Sequence, residues 1–74
     1  MKRRDLVQPN SQIGCAVYDE KLVYNGMMSV GTLGIILAME WMENDRYHTT
    51  DYVKVLTVTG LIGYVCRAGL KVVP

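Results

Sequence analysis

The chain has 74 residues, half of them apolar, and eight basic side chains against seven acidic ones leave a net charge of +1. That length gives a single domain, residues 1–74, and a domain so small hides only about 60% of its unfolded surface, so it needs a partner or a staple to be more than marginal. The near-neutral balance gives no general pull toward nucleic acid or an acidic surface, and two cysteines are too few for a disulfide scaffold.

Lys2, Arg3 and Arg4 open the chain and read as a solvated, flexible start, with a phosphate or acidic-partner contact as the alternative. The adjoining stretch, Asp5 to Asn10, is no apolar signal-peptide core. Leu6-Val7-Gln8 predicts a first strand stopped by Pro9-Asn10-Ser11. Ile13 to Tyr24 alternates loosely around Asp19-Glu20-Lys21, as a hairpin or a long ordered loop, and Asn25-Gly26 has the chemistry of a closing turn.

The uncharged stretch from Leu22 to Met39 approaches the length of a membrane-spanning helix. Asn25, Ser29, Thr32 and three glycines interrupt it, so a membrane hairpin of two helices is kept only as an alternative. Between Val30 and Trp41, spacing by two puts Leu33, Ile35, Leu37, Met39 and Trp41 on one face, expected to be the core, with Ile36, Ala38 and Met42 on the other. The early glycines and β-branched neighbours favour a strand over a helix.

Glu43-Asn44-Asp45-Arg46 is the most polar stretch and predicts an exposed turn. Tyr52 to Thr57 alternates well, with Val53, Val55 and Thr57 opposing Tyr52, Lys54 and Leu56. Val58-Thr59-Gly60 predicts a tight turn, Leu61 to Cys66 the next strand, Arg67-Ala68-Gly69 a break, and Leu70 to Val73 the last strand. The expectation is an all-β fold, a small five-stranded barrel.

The succession Asp5-Leu6-Val7, Gly31-Thr32-Leu33-Gly34-Ile35-Ile36, Tyr52-Val53-Lys54-Val55-Leu56, Gly60-Leu61-Ile62-Gly63-Tyr64-Val65 and Leu70-Lys71-Val72-Val73 resembles SH3-like barrels, in the form found in short proteins encoded by tailed bacteriophages. That resemblance implies a 3₁₀ turn at Gly69 before the final strand and a place in the virion or in the cytoplasm of an infected bacterium. Gly31 to Ile36 also resembles the nucleic-acid-associated KOW motif. Ala16-Val17-Tyr18-Asp19 is similar to a stretch of signalling SH3 domains, but their paired tryptophans are missing, so no polyproline slot can be assembled.

No catalytic chemistry is signalled. His48 is the single histidine, the carboxylates form no pair at a useful separation, and Cys15, Cys66 and His48 lack paired-ligand spacing for a metal. No catalytic, cofactor or metal residue is therefore assigned. Apolar residues exceed what a small barrel can bury on one face of each strand, which points to docking. The partner-binding residues expected are Trp41, Met42, Tyr52, Leu56 and Tyr64, facing a larger phage structural protein or the chain itself in an oligomer. The alternative is nucleic-acid binding through Lys2, Arg3, Arg4, Arg46, Lys54 and Arg67.

Overall fold

The computed structural model describes the backbone of residues 1–44 and 48–74, and the side chains of residues 1–39 and 52–74. Among the described residues the chain forms seven strands, β1 (Leu6–Pro9), β2 (Cys15–Tyr18), β3 (Tyr24–Met28), β4 (Gly34–Asn44), β5 (His48–Thr57), β6 (Ile62–Cys66) and β7 (Leu70–Val72). They lie in one sheet in the order β3-β2-β6-β5-β4-β1-β7, with every pairing antiparallel. The all-β expectation holds; the number of strands is seven, not five. A 3₁₀ turn at Arg67–Gly69 precedes β7. None of the described helices is long and apolar enough to cross a membrane, so the two-helix alternative has no counterpart in this fold.

The two added strands come from the segment that the sequence leaves open. β2 and β3 form a hairpin whose reversal is built by Asp19, not by Asn25-Gly26. One carboxylate oxygen of Asp19 accepts from the backbone N–H groups of Lys21 (2.8 Å) and Val23 (2.9 Å). A short acidic side chain that bonds the backbone just ahead of it makes this turn without glycine. Asn25 and Gly26 instead lie inside β3, where the side chain of Leu61 comes within 2.9 Å of the place a Cβ on Gly26 would occupy. At the other end, Pro9 is the last residue of β1, buried and paired with Leu70, so the proline ends the strand from within the ladder.

The core is one cluster, Val7, Val17, Met28, Ile36, Val53, Val55, Val65 and Leu70. It draws on strands from both ends of the sheet order, β3 and β2 at one end and β1 and β7 at the other, so the sheet curls around it. Up to Leu37 the inward face of β4 is the opposite of the expected one, and beyond it Met39 pairs with the buried Val53 and lies on the expected side. Ile36 is fully buried, while Ile35 and Leu37 are only half-buried and Met39 is 41% exposed. The register is the cause: Ile36 pairs with Val55, and the ladder slips at Leu37 so that Ala38 meets Lys54 and Met39 meets Val53. One extra residue in a strand exchanges its faces, which a uniform spacing of two cannot foresee.

Two glycines are set by close approach. A Cβ on Gly34 would lie 2.5 Å from Val55 Cγ1 and 3.0 Å from Met28 Cε, and one on Gly63 would lie 2.6 Å from both the Tyr18 carbonyl oxygen and Val17 Cγ1. Gly31 is different: it stands before β4 in a turn closed by the Thr32 N–H donating to the Ser29 carbonyl. The turn after β5 is as expected. Gly60 N–H donates to the Thr57 carbonyl, and the buried Thr57 hydroxyl accepts from Leu61 N–H and shares a hydrogen bond with Thr59.

Candidate docking face

Sheet register converts the alternation of the sequence into rows of side chains that cross neighbouring strands. On the side away from the core, Leu6 pairs with Ile35, Ile35 with Leu56 and Leu56 with Ile62. This is one continuous apolar row over β1, β4, β5 and β6. Leu6 is 46% exposed, Leu56 37% and Ile62 47%.

The next row runs Ala38, Lys54, Tyr64, Tyr18 and Tyr24, again by direct pairing. The Lys54 ammonium lies 5.9 Å from the centre of the Tyr64 ring, within the reach of a cation–π contact. Tyr52, paired with Cys66, meets the Tyr18 ring edge-on at 6.3 Å between centroids. Aromatic pairs favour that arrangement because the positive ring edge meets the negative face. The face therefore has an aliphatic half and a tyrosine half, with a single lysine between them.

Of the residues that the sequence nominates for docking, Tyr52, Leu56 and Tyr64 come together on this face: Tyr52 and Leu56 flank Lys54 on β5, and Tyr64 pairs with Lys54. Trp41 and Met42 lie on β4 opposite Asp51 and Thr50, and their side chains are outside the described residues. Sequence reasoning misses Leu6, Ile35 and Ile62. A spacing of two puts Ile35 in the core, and the slip at Leu37 breaks that spacing. Leu6 and Ile62 could have been found from their own strands, since Val7 and Gly63 beside them are buried.

The basic residues expected for nucleic acid are spread out. Lys2, Arg3 and Arg4 precede β1, Lys54 is in mid-sheet, Arg67 is in the 3₁₀ turn, and Arg46 lies outside the described residues. Cys15 and Cys66 are free and half-buried. Burial, and then the proximity of Cys66, pushes the Cys15 thiol above its ordinary value. Among the described residues no three histidine, cysteine or acidic side chains are grouped to hold a metal ion. Comparison of the chain with protein-family models, curated proteins and solved structures finds no match.

Proposed function

We propose that the chain is a non-enzymatic docking module, a structural or accessory protein of a tailed phage that seats on a larger capsid or tail protein through the outer face of its sheet. The observation that carries this is the row Leu6-Ile35-Leu56-Ile62, four aliphatic side chains in direct register, of which Leu6, Leu56 and Ile62 are open to solvent and Ile35 is half-buried between them. Singly exposed aliphatic residues are ordinary on a monomer; an aligned row across four strands is the kind of patch that marks a contact surface. Tyr52 and Tyr64 extend it with large side chains that cost little entropy to fix.

The SH3-like barrel belongs to the same proposal. It draws on the 3₁₀ turn directly before the last strand and on the curl of the sheet. A Cβ on Gly69, just before β7, would lie 3.6 Å from Cys15 Cβ on β2, although the two strands are far apart in sheet order. The assignment to a virion comes from the resemblance of the glycine-punctuated strands to phage barrels.

The test is to look for the chain in purified particles and to compare incorporation of the wild type with that of Leu56→Lys combined with Ile62→Lys. Both positions are at least a third exposed, so the variant keeps its core. Presence of the wild type and loss of the variant are expected. Absence from particles overturns the virion assignment, and equal incorporation overturns the face.

The tyrosine half favours one second reading, stacking of single-stranded nucleic acid on Tyr18, Tyr52 and Tyr64 beside Lys54. Binding of an oligonucleotide that weakens with added salt and is lost in Lys54→Glu supports it; no binding at low salt removes it.

A further inference from the structure

The described backbone has one long sheet edge that no other described strand covers. β1 follows β4 only to Ile36, whose N–H donates to the Asp5 carbonyl (3.0 Å) and whose carbonyl accepts from Arg4 N–H (2.7 Å). From Leu37 to Asn44, β4 continues with β5 on one side and, among the described residues, nothing on the other. β6 in turn leaves β5 at Tyr52, so among the described residues Glu40–Asn44 and His48–Asp51 pair only with each other and form a two-stranded arm beyond the body. The free edge Leu37-Ala38-Met39-Glu40-Trp41-Met42-Glu43-Asn44 contains no proline and no lysine, and the charges it carries are Glu40 and Glu43.

Charge says what fits there. Residues 40–51 carry Glu40, Glu43, Asp45 and Asp51 against Arg46, a net −3, so with the whole chain at +1 the remainder carries +4. The basic segment Lys2-Arg3-Arg4 sits at the foot of the free edge, since Arg4 bonds Ile36, and Glu43 lies near its far end. An edge that is basic at one end and acidic at the other complements a second copy of itself laid antiparallel.

We infer that two copies pair through β4, edge to edge about a two-fold axis, to join their sheets. The sequence restricts the register. Setting Glu40 opposite Glu40, or Glu40 opposite Glu43, places like charges face to face, which is destabilising. Opposed residues of two identical antiparallel strands must point to the same side of the sheet, and centring the pair on Trp41 meets that condition and avoids both. That register brings Lys2–Arg4 of each copy beside the Glu43 end of the other. Main-chain bonds supply affinity and the end charges supply orientation. This surface is an edge and not the outer face, so it stands or falls independently of the docking proposal.

The experiment is sedimentation of the full chain over a concentration series, with two charge-swap variants, Arg3→Glu with Arg4→Glu, and Glu40→Lys with Glu43→Lys. The wild type should approach twice 8.3 kDa and dissociate as salt is added. Each variant alone should dimerise on the order of tenfold more weakly or worse, because both ends then carry one sign. Mixed, the two variants should form a heterodimer. Circular dichroism confirms that each is folded. Hydrogen exchange of the wild type gives a readout without variants: amides from Leu37 to Asn44 should gain protection as concentration rises. A wild type that stays monomeric at about 1 mM, or that dimerises with no concentration-dependent protection of these amides, overturns the inference. Failure of the folded variants to pair when mixed overturns it too.

Discussion

The body of the sheet and the arm of β4 and β5 are built from the same kind of strand and are held by different forces. In the body, Val53 and Val55 of β5 are buried under Val7, Val17, Ile36 and Val65, and each strand between the edges has a neighbour on both sides. In the arm, Glu40 to Asn44 and His48 to Asp51 pair with one another, and no third described strand joins them. A two-stranded ribbon alone is marginal in water, because the ladder bonds that fix it hardly exceed what water offers the same groups. The lesson is that a seven-stranded sheet this small concentrates its stability in the body and leaves its arm to be completed from outside.

Truncation in the core should have the largest effect. Ile36 is fully buried at the crossing of β1, β4 and β5, so Ile36→Ala should cost about 2–5 kcal/mol. For a domain of this size that is much of the total stability. Urea unfolding followed by circular dichroism measures it. If Ile36→Ala shifts the midpoint no more than an alanine at Leu6, the exposed neighbour of Ile35, the core is misplaced by one residue along β4.

Next comes the seam where β2 meets β6. Gly63→Ala would drive a methyl group into the Tyr18 carbonyl and the Val17 side chain, both at 2.6 Å, and the backbone carbonyl cannot turn aside. Overpacking of this kind costs about 1–3 kcal/mol. Hydrogen exchange should show the loss concentrated in β2 and β3, because those two strands reach the rest of the sheet through the Tyr18–Tyr64 pairing. Uniform loss over all strands would mean that the β2–β3 hairpin is integral to the body.

The arm should respond least among the backbone positions. Thr50 pairs with Met42 there, and Thr50→Gly should cost less than about 1 kcal/mol, the whole span of strand preferences. Measured at low concentration, so that no second copy supports the arm, its amides should exchange faster than those of Val53 and Val55. An effect as large as that of Ile36→Ala would show the arm to be part of the cooperative unit.

The same division governs what the sequence reveals. Alternation makes β5 legible, because Val53, Val55 and Thr57 are all buried on one side and the extra residue of the slip belongs to β4. The turn at Thr57 to Leu61 is legible because Gly60 needs a conformation that few residues adopt. β4 is legible as a strand and not as a face: Ile36 and Ile35 are chemically alike, and only the slip at Leu37 decides which is buried. The β2–β3 hairpin is half hidden, since its turn depends on one Asp19 oxygen and its Asn25-Gly26 pair imitates a turn that β3 does not make. Of the docking face, Tyr52, Leu56 and Tyr64 can be reached from surplus apolar side chains, but the row they belong to exists only through pairing across four strands.

The smallest expected effect is at Cys15, where β2 begins at the margin of the core. Burial raises its thiol, and the nearby Cys66 raises it further, so the folded chain holds this proton more tightly than the unfolded chain does. A group whose folded value is raised contributes stability that is complete below the ordinary thiol range and is lost as pH climbs through it. The urea midpoint of the wild type should therefore fall between about pH 8 and pH 10. Cys15→Ala should flatten that slope. Parallel slopes for the two proteins would place the Cys15 thiol in water at the rim of the sheet, and would move the boundary between the body and its surroundings inward to Val17.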